Sequence, residues 1–391
     1  MNDAVAREVA AVEADLIALR RDLHAHPEPS WEEVRTTQVL RDLLTARGIA
    51  SEPGEGTTGL IAEVGAEGPL VALRADIDAL RMDDAKDVPY RSTVPGVCHA
   101  CGHDVHTAAG VGATLALAEV LQHRPGRVRI VFQPAEESIP SGARPLAEAG
   151  RVDGARAIFA LHCDPHLEAG QVGLSPGPIT SATDMVVIHL AGPGGHTARP
   201  HRTADLVNIA GRLAVDLPAA LDRLTDPRDG VNLTFGAIAA GDAANVVPAH
   251  AELRGSLRAT GRDGWEEAAK LLPGLIAGIA EPRGATWELD HRIGSPPVDN
   301  DPWATALLGR AAEAVVGADG VLPTRQSGGG EDFSWFLDRV PGAFLRLGVS
   351  PPGRPGADIH AAAFDVDERA IALGARVLAG AALEALDAPD R

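Results

Sequence analysis

Between residues 181 and 297 the chain carries a complete β-α-β-β-α-β unit, which restricts how everything else can fold. Strand-like runs at 184–191, 231–239, 249–258 and 285–292 enclose helix-like runs at 203–223 and 265–280. That order is the split ferredoxin-like arrangement. The flanking sequence follows another pattern. Val34, Val39, Leu40, Leu43 and Leu44 recur at helical spacing within 32–47, and Gly48 supplies a stop. Leu60–Val64 and Leu70–Leu73 are short apolar runs suited to buried strands. A small-residue helix is predicted over 105–122 and strands over 127–132 and 157–161, the last ending at His162. After Pro296-Pro297 follow helices at 302–316, 331–338 and 366–386 and a strand at 343–347. Such alternation predicts an α/β layered domain.

A topological consequence follows from two histidines. His162 precedes the middle unit and His360 follows it. If both serve one site, residues 1–180 and 298–391 form one discontinuous domain and 181–297 are inserted into it. A chain of 391 residues has room for two such domains.

Composition narrows the partners. The net charge of −19 disfavours nucleic acid and anionic membrane surfaces. No apolar run reaches 18 residues, so no membrane span is predicted. The N-terminal residues lack the basic and apolar regions of a signal peptide. Three cysteines do not make a disulfide framework. A reducing cytoplasm is the expected location, and it keeps a thiolate available as a ligand.

The chemistry centres on Val97-Cys-His-Ala-Cys-Gly-His-Asp-Val-His106. Cys101 and His103 can reach one metal cluster, with Gly102 turning the backbone between them. Glu136-Glu137 ends the strand predicted at 127–132. Because successive side chains on extended backbone point oppositely, one carboxylate can ligate metal while the other serves as a general base. Asp76-Ile-Asp78 ends another strand, and Asp78 is expected to orient a ligand histidine. Cys98 and Cys101 also form Cys-x-x-Cys. Haem attachment requires His at position 102, where Gly stands; a thioredoxin-like pair or a structural zinc site leaves the glutamates and distant histidines unexplained. Cys98 reads as a packed loop residue. His24, His26, His99, His106 and His166 read as structural or surface residues. In the middle unit, Gly192-Pro-Gly-Gly-His196-Thr-Ala-Arg199-Pro-His201 is a glycine-rich loop. There His196 can stabilise an oxyanion, Arg199 or His201 can meet an acidic group, and Asn245 can donate a hydrogen bond.

Taken together these stretches resemble the M20 metallopeptidase family, in its amidohydrolase branch of aminoacylases, hippurate hydrolases and auxin-conjugate hydrolases. The resemblance is carried by Arg20-Arg-Asp-Leu-His-Ala-His-Pro-Glu28, Arg74-Ala-Asp-Ile-Asp-Ala-Leu80, His99-Ala-Cys-Gly-His-Asp-Val-His-Thr107, Phe132-Gln-Pro-Ala-Glu-Glu137, Gly194-Gly-His-Thr-Ala-Arg-Pro-His201, Asn245-Val-Val-Pro248, Gly328-Gly-Gly-Glu-Asp-Phe-Ser334 and Asp358-Ile-His360. These span nearly the whole chain. Cys98 stands where relatives often have methionine, and Trp335 where tyrosine is common.

The resemblance implies a zinc-peptidase-like α/β/α catalytic domain with an inserted ferredoxin-like dimerisation or lid domain. It implies two divalent metal ions, manganese or zinc with cobalt or nickel as further options, held by Cys101, His103, Glu137, His162 and His360. Cys101 takes the bridging place, Glu136 falls on the general acid/base, and His196 on a histidine that reaches the partner subunit's site. Asn245 matches a substrate-contacting position. The implied reaction is hydrolysis of the amide bond of a small N-acyl-amino acid by a metal-activated water, in a homodimer or larger assembly. An M20-type dipeptidase or carboxypeptidase is the alternative within the fold. A non-catalytic metal- or ligand-binding relative is the alternative outside it, and the intact Glu136 speaks against that.

Overall fold

The computed structural model describes residues 2–56, 58–354 and 356–389. The first elements are helices α1 (Asn2–Ala25) and α2 (Val34–Ala46) and strands β1 (Ser51–Pro53), β2 (Leu60–Val64) and β3 (Leu70–Asp76). Helix α3 (His103–Val120), strand β4 (Arg127–Gln133), helix α4 (Ala143–Glu148) and strand β5 (Ala155–Glu168) follow, with short strands β6 (Val172–Gly173) and β7 (Gly177–Pro178). Next come β8 (Ala182–Ala191), β9 (Gly195–His196), α5 (Leu206–Leu224), β10 (Asn232–Ala239), β11 (Val246–Val247), β12 (His250–Ala259), α6 (Arg262–Ala280) and β13 (Thr286–Ser295). The chain ends with β14 (Asp299–Asn300), α7 (Pro302–Val316), β15 (Val321–Leu322), α8 (Ser334–Leu337), β16 (Gly342–Ser350) and α9 (Arg369–Asp387).

Two compact units result. One comprises the chain up to Ile179, Asp299–Arg325 and the residues from Asp332 onward; the other comprises Thr180–Val298 and Gln326–Glu331. The second thus includes six residues far down the chain. Gln326 donates to the carbonyls of Thr180 and Thr260, and Arg258 donates to that of Gly328.

In the first unit an eight-stranded sheet has the order β1-β2-β4-β3-β5-β16-β6-β15. Strands β4, β3, β5 and β16 are parallel neighbours. Their C-terminal ends therefore lie along one edge, the place where open α/β sheets bind ligands. Helices α1, α3 and α9 pack together, and α9 lies on the sheet, with Gly374 close against Leu161 and Leu347. Helix α3 has no buried large side chain at its tightest crossing: a Cβ on Gly112 would meet Leu16 at 2.6 Å and Ala375 at 2.9 Å. The run of Ala and Gly in α3 lets neighbouring helices approach this closely, and larger side chains there would overpack. In the second unit β10-β12-β8-β13 form an antiparallel sheet, with α5 and α6 packed on it through Leu213, Leu217, Leu272 and Ile276. Among the described residues no helix is long and apolar enough to cross a membrane.

Three differences from the sequence reading matter. Helix α1, 24 residues long, was absent from it. Helix α8 covers four residues rather than all of 331–338. Strand β5 does not end at His162 but runs on to Glu168, because β16 continues beside it with Arg346 opposite His162 and Gly348 opposite Asp164. On its other side β5 loses β3 after Phe159. His162 therefore stands beyond the end of one neighbour while still held by the other.

Candidate metal centre

Five segments of the first unit supply the site. Gly102, with φ +89, is the N-cap of α3, and a Cβ there would meet Cys163 Sγ at 2.7 Å. The left-handed backbone and the crowding both demand glycine. This turn puts Cys101 just outside the helix and makes His103 its first residue. Both are buried.

His103 is aimed by Asp78. Its Nδ1–H donates to Asp78 Oδ1 at 3.2 Å, which leaves Nε2 as the ligand atom. That Nε2 is buried without a hydrogen-bond partner, 3.7 Å from Asp76 Oδ2 and 3.9 Å from Glu137 Oε1. Asp78 Oδ2 accepts from Ser30 Oγ at 2.7 Å and from the Glu137 amide at 3.0 Å. One carboxylate thus ties the α3 histidine to the turn after β4. His162 is set similarly: its Nδ1 lies 2.7 Å from the carbonyl of Cys163, and its Nε2 lies 3.3 Å from Cys101 Sγ.

The glutamates differ from expectation. Strand β4 ends at Gln133, and Ala135 has φ +55, so residues 134–137 turn instead of extending. The alternation argument for opposite-facing side chains does not apply there. Glu136 and Glu137 each bring a carboxylate oxygen within 4.8 Å of a His103 ring nitrogen and of one another. Glu137 Oε1 lies 3.1 Å from His360 Nε2. His360 is half-exposed and also left-handed, at φ +61, with its amide donating to the Ala100 carbonyl at 2.7 Å.

Three groups of ligand atoms, each within 4.8 Å, are made of Glu136 and the predicted ligands alone: Cys101, His103 and His162; Cys101, Glu137 and His360; His103, Glu136 and Glu137; Asp76 and His106 form a further group with His103. Cys101 belongs to the first two. Among the described residues neither Cys101 nor Glu137 is paired with a lysine or arginine. Burial, reinforced by Glu137 and Glu136, pushes the Cys101 thiol well above its usual range. Burial opposes a charge on His103, but Asp76, Asp78 and Glu137 outweigh it and raise His103 to about 10. Burial, with His106 beside it, pushes His162 well below its usual value. Arg74 pairs with Asp76 at 2.7 Å, but Glu137 has no lysine or arginine partner among the described residues and His103 Nε2 is buried and unpartnered, a combination that fits divalent metal.

Two further residues support this site: His106, in the structural role the sequence suggests, and Asp76. His106 donates through Nδ1 to Asp76 Oδ1 at 2.6 Å, and its Nε2 accepts from the Cys163 amide at 2.8 Å. Both ring nitrogens are occupied, so His106 fixes β5 next to His162 instead of offering a ligand. Its signal was the i, i+3 spacing from His103, which places both on one helix face. Asp76 was seen only as a partner of Asp78.

His196, Arg199 and Asn245 lie in the second unit and are exposed. His196 forms β9 with Gly195 and pairs with Val246 of β11. Its Nδ1 accepts from the Ala198 amide at 3.0 Å, and the Arg199 amide donates to its carbonyl at 2.8 Å. The Thr197 amide donates to the Asn245 carbonyl at 3.2 Å. The structure thus joins these three residues in one pair of loops.

Residues 72–384 match the pattern of the peptidase family M20/M25/M40, and the chain belongs to that family. A Bacillus subtilis (strain 168) protein named N-acetyl-L-cysteine deacetylase is 35% identical over 97% of this chain and 90% of its own length. A Rhodococcus jostii (strain RHA1) protein named as a glutamate–cysteine ligase is 48% identical over 94% of this chain, but the chain spans only 46% of that protein. Among solved structures, the Bacillus subtilis YXEP protein, described as a dinuclear metal binding peptidase from the M20 family, matches with a TM-score of 0.79 at 33% identity, covering 96% of this chain and 98% of that one.

Proposed function

We propose that this protein is a metal-dependent amidohydrolase that cleaves the amide bond of small N-acyl-amino acids. The observation supporting this reading is the set of three ligand groups linked pairwise through Cys101, His103 and Glu137, with Glu136 inside one of them. Cys101, His103, Glu137, His162 and His360 would hold two divalent ions. Bound there, such ions supply Lewis acidity and lower the pKa of water. The mixed thiolate, imidazole and carboxylate set suits manganese or zinc, and also cobalt or nickel.

The chain's own residues perform the remaining steps. Asp78 keeps the His103 Nε2 lone pair on the site, and the Cys163 carbonyl does the same for His162. Glu136 takes the proton of the attacking water and returns it to the leaving nitrogen, so the products are a carboxylic acid and a free amino acid. His196, acting from a partner subunit in a homodimer, donates to the developing oxyanion. Arg199 and Asn245 hold the substrate's carboxylate. A thiolate ligand is compatible with a reducing cytoplasm. The N-acetylcysteine deacetylase relative makes N-acetylcysteine the first substrate to try.

The test is a panel of N-acyl-amino acids and dipeptides assayed by mass spectrometry, run with wild type and Glu136→Gln. Expected are preferential hydrolysis of the acyl-amino acids and a Glu136→Gln variant that keeps its metal but loses at least about 100-fold in kcat. Near-normal turnover in that variant removes Glu136 from the mechanism. A preference for dipeptides moves the protein to the peptidase alternative.

A further inference from the structure

We propose that Glu33 is a positioning residue for the turn that carries Glu136 and Glu137, acting through the backbone of Ala135. The inference rests on the reading of Glu136 as the general acid/base.

Glu33 immediately precedes α2, yet its carboxyl makes no cap hydrogen bond to that helix. The Arg35 and Thr36 amides of the first turn instead donate to Glu28, at 2.9 and 2.7 Å. Glu33 is fully buried. Its Oε1 accepts from the Ala135 amide at 2.8 Å, and its Oε2 accepts from Thr58 Oγ1 at 2.7 Å. Ala135 is the residue that needs holding, because φ +55 is disfavoured for a side chain with a Cβ and persists only where the surroundings over-determine it.

Other contacts on the turn support this role. Gly59, at φ +87, lies against Pro134, and a Cβ there would meet Pro134 Cδ at 2.7 Å. Two neighbours of Glu33 grip the same turn further along. Ser30 donates to Asp78 Oδ2, the oxygen that also accepts the Glu137 amide. Trp31 Nε1 donates to the Pro140 carbonyl at 3.1 Å. Three residues within 30–33 therefore secure the turn directly at 135 and 140 and through Asp78 at 137. Burial, then the Asp78 carboxylate, raises the Glu33 carboxyl to about 7. Either protonation form keeps an acceptor for Ala135, and glutamine keeps one too while its NH2 reaches Thr58.

Hydrogen exchange of the 133–140 peptides, metal content, kcat and KM would be compared in wild type, Glu33→Ala and Glu33→Gln. In Glu33→Ala the 133–140 amides exchange faster and metal content is unchanged. Its kcat falls roughly 10- to 100-fold with KM nearly constant, and Glu33→Gln restores both exchange and kcat. Should Glu33→Ala fail to fold, Thr58→Val removes only the Oε2 partner and gives faster exchange with a smaller kcat loss. Wild-type exchange in the altered protein overturns the proposal, as does a kcat loss that follows metal loss or that glutamine does not restore. If wild type hydrolyses no N-acyl-amino acid, the functional reading fails, while the exchange measurement still decides the role of Glu33.

Discussion

Two clusters of metal-ligand residue types lie three positions apart in sequence, around Cys101 and around Cys98, and only the first has the character of a metal centre. His24, Asp84 and Cys98 bring ligand atoms within 4.8 Å, as Cys101, His103 and His162 do. Each cluster is buried, and each has an imidazole nitrogen without a hydrogen-bond partner, His24 Nε2 in one and His103 Nε2 in the other. Those criteria do not separate them. A resident cation does: Lys86 Nζ lies 3.0 Å from Asp84 Oδ1 and 3.6 Å from Cys98 Sγ. Burial raises the Cys98 thiol to about 11, leaving it protonated. Around Cys101, Asp76 is paired with Arg74 at 2.7 Å, but among the described residues Glu137, which shares a ligand group with Cys101, has no lysine or arginine partner. Ligand types at ligand spacing are insufficient; an uncompensated negative charge is what calls for a metal.

The largest expected effect is on metal content. Cys101→Ser should lose most of its metal, because Cys101 belongs to two of the ligand groups, whereas Cys98→Ser should keep the wild-type ratio of metal to protein. Elemental analysis of both decides, and loss of metal in Cys98→Ser would erase the distinction. Next is stability. Lys86→Met leaves Asp84 buried without its ammonium partner and should destabilise the fold by about 3–5 kcal/mol in chemical denaturation. An additional ion bound by that variant would show that the lysine alone separates the clusters. Third, Asp78→Asn should weaken metal binding about 10- to 100-fold in chelator competition while keeping the full ratio at excess metal. An unchanged affinity would mean His103 needs no orientation by Asp78.

How much of this was legible in sequence follows from the kind of signal each feature leaves. The β-α-β-β-α-β order of the middle unit could be read because each strand and helix keeps its period. Helix α1 was missed although Val5, Val9, Leu16, Leu19 and Leu23 mark its buried face, because Ala and charged residues dilute the stripe. The metal-centre residues were legible as types placed near strand ends. Their geometry was not: Ala135 adopts a left-handed conformation that alanine composition does not announce, and it overturns the alternation expected of Glu136 and Glu137. The partners of Glu33, Asp76 and His106 lie 30 to 102 positions away; the i, i+3 spacing from His103 puts His106 on the right helix face, but no local pattern encodes which groups these side chains bond. Conversely, Cys98 is the packed residue its loop context predicts, while Lys86, which neutralises its cluster, leaves no sequence signal of that role.

The clusters should also part company with pH, by a smaller margin. Thiolate and imidazole ligands compete with protons for metal, so lowering pH from 7 to 5 should weaken metal binding at Cys101 progressively. Nothing comparable is expected around Cys98. Burial alone would raise Asp84, but bonds from the Ser92 and Lys86 amides and from the Lys86 side chain lower it from 3.8 to about 2. A folded-state pKa below the unfolded value gives stability that is fully present above the unfolded value and lost as pH falls through the folded one. The contribution of Asp84 to wild-type stability is therefore constant from pH 7 to 5. In Lys86→Met the missing ammonium lets burial raise the Asp84 carboxyl, so the stability gap between the two proteins, both metal-free with chelator present, should narrow as pH falls and the variant's Asp84 takes up its proton. Denaturation curves across that range test it. A gap that stays constant from pH 7 down to about 3 would mean that removing the ammonium leaves the Asp84 carboxyl where it was, and Lys86 would then not be the cation that keeps metal out.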